Sequence, residues 1–143
     1  MDENSLEVAK YIQIARNNYK QGNLHRANEI YRKLINQKIY TYDLLISYGL
    51  FNKDINNLKT AKHLFILSIK KYPSKFESYI LLSEIFRKEN NFNDALKTLH
   101  AAKKIENVKS DIDYNLSLTY KTIKSFKEAI ISIDSAINIK PDN

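Results

Sequence analysis

Three histidines and a scatter of carboxylates are the residues of this chain that could take part in catalysis or bind a metal ion. His25, His63 and His100 share no spacing with one another or with acids that would bring two ligands or an acid–base pair together. Four acids are expected to cap helices or to lie in solvent: Asp43, Asp54, Glu77 and Glu84. With no Cys and two distant Gly, neither a thiolate site nor a phosphate-cradling loop can be built. The sequence therefore predicts that the protein is not an enzyme. It predicts no catalytic residue, metal site, cofactor or small-molecule substrate.

Composition favours a mostly helical fold. The 143 residues are 43% apolar, which is enough for a core, and two Gly with two Pro are very few for a fold of strands and turns. The formal net charge of +7 is spread along the chain rather than clustered, so binding to nucleic acid is not expected. The first residues do not resemble a secretory signal, and no apolar run is long enough to span a bilayer. We therefore expect a cytoplasmic protein without membrane contact.

The sequence repeats itself with a period of 34 residues. One column of small residues holds Ala27, Ala61, Ala95 and Ala129. A second small column, twelve residues earlier, holds Ala15, Gly49, Ser83 and Ser117. Four residues beyond each alanine stands a large apolar residue: Tyr31, Phe65, Leu99 and Ile133. Small residues are needed where two helix backbones come closest, and bulky ones fill the space around that crossing. The pattern thus predicts four pairs of antiparallel helices.

The turn inside each pair is indicated by two positions before the second helix. The position directly before it holds residues that cap helices well: Asn23, Asn57, Asn91 and Ser125. The position before that tolerates a left-handed backbone at Gly22, Asn56 and Asn90, whereas Lys124 is the exception. Ser125 and Glu128 have the spacing of a capping box, as do Ser74 and Glu77.

These columns resemble the tetratricopeptide repeat, a helix-turn-helix unit of 34 residues. The last unit is close to the family's pattern in Tyr114, Leu116, Ser117, Tyr120, Phe126, Ala129 and Pro141. The resemblance covers repeats at 8–41, 42–75, 76–109 and 110–143, after a lead-in at 1–7, in a single domain of residues 1–143. It implies an all-α fold, a right-handed superhelical solenoid of four hairpins.

The family resemblance also implies a function and a site. The first helix of each hairpin would line a concave groove that binds a peptide or protein segment, as in a non-catalytic interaction module or scaffold. The residues at the groove positions would be Ile12, Arg16, Tyr19, Ile46, Leu50, Lys53, Ile80, Glu84, Arg87, Tyr114, Asn115, Leu118 and Lys121. We expect an apolar stripe bordered by positive charge, suited to apolar anchors with acidic flanks. The same apolar residues could instead pack within the array, with the basic ones forming a solvated face.

The end of the repeat array leaves alternatives open. It stops at Pro141 without the polar capping helix that usually closes such arrays, so we expect exposed apolar residues such as Ile130, Ile133 or Ile137. The chain could be a piece of a longer protein, could associate with itself through this uncapped helix, or could be covered by a partner. The first explanation is preferred, and it gives an alternative function as the targeting module of a larger enzyme such as a glycosyltransferase. A second alternative is binding to nucleic acid or an anionic surface through the basic charge.

Overall fold

Three helical hairpins followed by one long helix make up the computed structural model, which describes residues 3–105 and 109–139. The helices are α1 (Glu3–Lys20), α2 (Leu24–Asn36), α3 (Tyr42–Asp54), α4 (Leu58–Lys71), α5 (Glu77–Lys88), α6 (Phe92–Ala102) and α7 (Lys109–Ile139). No strand occurs in these two ranges, so the predicted all-α fold is confirmed. No helix within them is both long and apolar enough to cross a membrane.

The small-residue columns lie where the two helices of a hairpin touch. Ala27, Ala61 and Ala95 are all fully buried. The contact is closest at Gly49, where a Cβ atom would lie 2.3 Å from Cε1 of Phe65. Phe65 is itself fully buried. The pairing predicted for the first three units is therefore confirmed, and it explains why the second column accepts only small side chains.

The predicted turns are present in these three hairpins. The backbone is left-handed at Gly22 (φ 80°), Asn56 (φ 62°) and Asn90 (φ 58°). The amide of the next residue then bonds back to the first helix, as from Asn57 N to Asn52 O at 2.8 Å. This bond satisfies a carbonyl that the end of the helix would otherwise leave open.

The helix caps are only partly as predicted. Each second helix of the three hairpins does have the expected Asn as its N-cap residue, but only the Asn91 side chain accepts a capping bond, from the amide of Asp94. The capping box at Ser74 is wrong, because α5 begins at Glu77 with Phe76 as its cap. A cap that was not anticipated is Thr41, whose Oγ1 accepts from the amide of Leu44 at 3.3 Å.

The core is shared between successive helices rather than enclosed within single hairpins. The first cluster joins α1, α2 and α3, with Leu64 from α4, and includes Ile12, Tyr31 and Leu44. Tyr31 also stacks on Tyr48 of α3, with ring centroids 5.1 Å apart. Two further clusters continue along the array, the second across α3 to α5 and the third across α5 to α7. Each hairpin therefore depends on its neighbour for part of its buried apolar surface.

The fourth unit differs from the hairpin that was predicted for it. Helix α7 runs without interruption from Lys109 to Ile139, so the turn at Lys124 and the capping box at Ser125 are not formed. The physical reason is local: a left-handed Lys costs about 1–2 kcal/mol, whereas continuing the helix keeps its hydrogen bonds. The predicted exposure of Ile130 is confirmed at 44%. The side chains of Ile133 and Ile137, and the residue Pro141, lie outside the described part of the structure.

Candidate protein-interaction surface

The first helices α1, α3, α5 and α7 carry the residues that were predicted to line the groove. Their fifth position changes from buried to exposed along the array: Ile12 is 1% exposed, Ile46 is 6% exposed, Ile80 is partly buried and Tyr114 is 69% exposed. Ile12 and Ile46 belong to core clusters because each first helix is covered by the next one. Their assignment as groove-lining residues is therefore corrected: in this structure they support the surface from beneath.

Two basic residues that were predicted to border the groove instead connect one first helix to the next. On α1, Arg16 pairs with Asp43 and donates from Nε to Ser47 Oγ at 3.0 Å. On α3, Lys53 donates to Glu84 Oε2 at 2.8 Å. These side chains are already engaged within the array. A partner would have to displace an existing bond to use them, so the positive border is weaker than its sequence suggested.

Arg87 continues the same arrangement from α5 to α7. Its Nη1 donates to the backbone oxygen of Asn115 and to Thr119 Oγ1, both at 3.3 Å. Asn115 is 8% exposed, and its Nδ2 donates to the backbone oxygen of Asp111 at 2.9 Å. The structure thus makes Arg87 and Asn115 part of the α5–α7 connection rather than of an open groove.

Two tyrosines add a second set of bridges between first helices. Tyr19 donates to Asp54 Oδ2 at 2.8 Å, and this hydrogen bond, with some burial, raises the pKa of Tyr19. Tyr42 donates to Glu77 Oε2 at 2.9 Å. Burial, reinforced by Glu77, raises the pKa of Tyr42 above its ordinary value. A raised pKa here means that the hydroxyl keeps the proton with which it binds the acid.

The four acids singled out in the sequence thereby acquire a common role. Each accepts a bond from the preceding first helix: Asp43 from Arg16, Asp54 from Tyr19, Glu77 from Tyr42 and Glu84 from Lys53. Sequence reasoning assigned them to caps and solvent and missed these bridges. The sequence did contain an indication of these bridges, namely the separation between donor and acceptor. The two tyrosine–acid pairs are each 35 residues apart in the sequence, one more than the repeat period.

The accessible part of the predicted groove lies on α7. Tyr114 and Leu118 are 69% and 37% exposed, and the exposed Lys121 follows on the same helical face. Within the described residues, Lys121 makes no ion pair. We call these three residues the α7 patch. Beside it, Ile80 of α5 packs at the edge of the cluster that joins α5 to α7. The remaining predicted groove residues, Leu50 and Glu84, are partly buried.

A cleft that the sequence did not indicate lies at the other end of the array. It encloses ≈ 440 Å³ between the start of α1 and the end of α2. Its apolar floor includes Val8, Ile30 and Leu34, and its rim carries charges of both signs, among them Glu29 and Lys33. Its existence depends on how far the two helices diverge, which no column of the repeat specifies. Among the described residues no three His, Cys, Asp or Glu side chains are grouped so that they could hold a metal ion.

Comparison with known proteins agrees with this architecture. Residues 114–143 match the family model of the tetratricopeptide repeat. None of the curated proteins compared with the chain matches it. The solved structure of MamA MSR-1 is 16% identical, covers 96% of this chain and 79% of its own, and has a TM-score of 0.67. Another crystal structure of MamA is 22% identical, with coverage of 94% and 73% and a TM-score of 0.69.

A third solved structure contains a bound peptide. It is the type III secretion chaperone SycD of Yersinia enterocolitica in complex with a peptide of the translocator YopD. It is 14% identical to this chain, covers 90% of it and 96% of its own length, and has a TM-score of 0.68. At these identities the solved structures share a fold with the chain, an all-α array of helical repeats. The match to the tetratricopeptide repeat itself covers residues 114–143, and over the rest of the chain the similarity to these structures is one of fold.

Proposed function

We propose that this protein is a non-catalytic interaction module that binds a peptide or protein segment at the α7 patch. One observation carries the proposal: Tyr114 and Leu118 are large apolar side chains exposed one helical turn apart, and the counterparts of Tyr114 in the first two units, Ile12 and Ile46, are core residues. Exposed aromatic and aliphatic side chains on a rigid helix are suitable anchors for a partner, because they lose little conformational freedom on binding.

Support for this function comes from the fold. Helical-repeat arrays present extended surfaces to peptides, and the neighbour SycD was solved with a peptide of the translocator YopD bound to it. The described residues also supply a stable base for the patch, since Arg87 ties α5 to α7.

The chemistry of the patch suggests the chemistry of its partner. Tyr114 and Leu118 would take apolar anchors, and Lys121 would take an acidic residue about one helical turn away. Arg16 and Lys53 contribute little to charge selection, because their ion pairs with Asp43 and Glu84 are made within the array. We therefore propose a short segment with apolar anchors and a single acidic flank, rather than a long acidic tail.

Selection of peptides on the immobilised chain, followed by anisotropy titration, tests this function. A displayed random-peptide library should enrich sequences with apolar anchors, and their affinity should fall at least tenfold in Tyr114→Asp and in Leu118→Asp. Ile66→Asp is the matched control, because Ile66 is 51% exposed on the second helix α4 and outside the patch. Circular dichroism should show equal helicity in all three variants.

Two results would contradict the proposed site. One is a library that yields no specific sequences. The other is an equal loss of affinity in Ile66→Asp and the patch variants. A charge at Ile46 would not test the site, because that position is 6% exposed and the substitution would destabilise the fold itself.

The wider alternatives stay predictions. A targeting module of a larger enzyme would still use the α7 patch, so the peptide experiment applies to it unchanged. A nucleic-acid binder predicts retention on heparin that weakens steeply with salt. It is less well supported, because basic side chains of the first helices already bind acids or a carbonyl oxygen. Action in the cytoplasm is likewise a proposal from the sequence.

A further inference from the structure

The two kinds of helix in the first three hairpins differ in charge. The first helices α1, α3 and α5 have six basic and six acidic residues, so their formal charges cancel. The second helices α2, α4 and α6 have eight basic and two acidic residues, a net charge of +6 in a chain whose total is +7. The charge is scattered along the sequence because the two kinds of helix alternate. Stacking of the hairpins, with the first helices bridged to one another, collects it on the other side of the array.

The exposed side of each second helix follows a spacing of four, three and four residues. This spacing keeps four side chains within an arc of about 60° around the helix. All twelve such positions in the three hairpins are exposed, including Lys104, which follows directly after the end of α6. We call these twelve residues the basic face: His25, Glu29, Arg32, Asn36, Lys59, His63, Ile66, Lys70, Asn93, Lys97, His100 and Lys104.

The basic face has five Lys or Arg residues against a single acid, Glu29. Glu29 is itself engaged, with Arg26 at 3.2 Å and His25 at 3.9 Å. Lys97 lies 3.7 Å from Asp94. Among the residues that the structure describes, no ion pair is made by the other four cations, which are Arg32, Lys59, Lys70 and Lys104. An anionic partner could therefore bind this face without displacing existing bonds, unlike at the first helices.

An exposed apolar side chain lies in the middle of this charge. Ile66 is 51% exposed, and its neighbours on the same side of α4 are His63 and Lys70. It is the only apolar residue of the basic face, and the face includes no aromatic residue on which a base could stack. A nucleic-acid backbone offers Ile66 nothing to pack against. The boundary between lipid headgroups and acyl chains accepts such a side chain while the headgroups attract the cations around it.

We propose that the basic face binds the surface of an anionic lipid bilayer. Lys and Arg lie against the headgroups, and Ile66 enters the boundary beneath them. Clusters of about four to eight basic residues are typical of proteins that bind anionic lipids in this way. The contact is peripheral, and it replaces the expectation from the sequence that the chain makes no membrane contact. It uses the second helices, so it is independent of peptide binding at the α7 patch.

Co-sedimentation with vesicles tests the charge of the face. The full chain should bind phosphatidylcholine vesicles that contain phosphatidylserine, should not bind vesicles of phosphatidylcholine alone, and should be released by salt. Lys59→Gln plus Lys70→Gln should lower the partition coefficient about thirtyfold, because each charge at such a surface contributes about fivefold. The matched control is Lys10→Gln plus Lys20→Gln, which removes two exposed charges from the first helix α1 and should have a much smaller effect.

A second pair of variants tests the apolar contact. Ile66→Ser should lower the partition coefficient about fivefold, because it removes the side chain that enters the bilayer. Leu118→Ser removes an exposed apolar side chain of the α7 patch instead, and it should leave vesicle binding unchanged. The effects on peptide affinity should be reversed between these two variants. Failure of one proposal can therefore be told apart from failure of the other.

Several results would overturn binding to a bilayer. One is equal binding to vesicles with and without phosphatidylserine. Another is an equal loss in the α4 and α1 lysine pairs, which would mean that net charge rather than this face decides binding. Unchanged binding of Ile66→Ser would mean that the face recognises charge alone. Finally, a labelled DNA duplex that binds, and that loses affinity in the α4 pair while vesicles do not bind, would assign the face to nucleic acid.

Discussion

The third and fourth units share a repeat register but fold differently. Both have an alanine in the second half, Ala95 and Ala129, preceded by a helix-capping type of residue, Asn91 and Ser125. The third unit turns back to form α5 and α6, whereas the fourth continues as α7. The interface columns are thus present in both units. What differs is the position before the cap, which is Asn90 in one and Lys124 in the other.

A single backbone conformation separates the two outcomes. Asn90 adopts φ 58°, a left-handed conformation in which Asn is more tolerable than most residues. Lys38 shows that a Lys also adopts this conformation, at φ 60°, where the chain passes from α2 to α3. The cost of about 1–2 kcal/mol is therefore not prohibitive. This cost determines whether a turn forms only where the chain can instead continue as a helix and keep the helical hydrogen bonds.

The largest effect on stability is expected in the third unit, where α6 packs against α5. The straight helix α7 of the fourth unit forms no such hairpin. Leu99→Ala removes a fully buried side chain of α6 and leaves a cavity in the cluster that joins α5, α6 and α7. We expect a loss of about 2–5 kcal/mol in the free energy of unfolding, measured by urea denaturation. Ile66→Ala, at a position 51% exposed on α4, is the control and should cost much less. Equal losses would show that the crossing column does not stabilise the hairpins.

Stability at alkaline pH should also depend on a buried tyrosine of the first hairpin, Tyr31, and not on the exposed Tyr114 of α7. Burial raises the pKa of Tyr31 to about 12, from an ordinary value of 10.0. The unfolded chain therefore loses this proton first, so the stability is present below pH 10 and is lost as the pH rises from about 10 to 12. Two pKa units correspond to about 2–3 kcal/mol.

The variant Tyr31→Phe isolates this contribution. It should show a smaller loss of stability between pH 9 and pH 12 than the unmodified chain, by about 2 kcal/mol in urea titrations. Tyr114→Phe, at a side chain 69% exposed on α7, should follow the unmodified chain. Identical pH dependence in all three proteins would rule out Tyr31 as a source of alkaline sensitivity.

Exchanging the turn residue tests the comparison directly. Asn90→Lys gives the third unit the residue of the fourth, and it should lower the free energy of unfolding by about 1 kcal/mol. Asn93→Lys adds the same charge at an exposed position of α6 and should be close to neutral. Should the two variants unfold at the same urea concentration, the turn residue would not explain why α7 is straight.

Local chemistry made much of this fold predictable. The left-handed turns at Gly22, Asn56 and Asn90 and the burial of Ala61 and Ala95 all follow from residue types at a fixed period. Lys124 was recognised as the exception, but the sequence alone could not show that the helix would continue there. That choice balances a turn cost against helix continuation, and the two energies are similar in size.

The candidate site was less predictable, because it depends on how successive hairpins are placed. The family's positions assigned Ile12 and Ile46 to the groove, yet each first helix covers the one before it. The acid bridges join residues about one repeat apart, such as Tyr19 and Asp54, and they form only after the hairpins have stacked. Tyr114 and Leu118 were placed correctly on the first helix, but their exposure reflects their position on α7.

The smallest effect concerns the bridges that connect the first helices. Lys53 and Glu84 are 25% and 35% exposed, so their ion pair at 2.8 Å is partly screened by solvent. A double-mutant cycle of Lys53→Met and Glu84→Gln should give a coupling of about 0.2–1 kcal/mol in the free energy of unfolding. Repeating the cycle in high salt should reduce the coupling, because screening acts on the attraction itself. Zero coupling at low salt would mean that apolar stacking alone holds α3 against α5, and that the bridges only exclude other partners from the first helices.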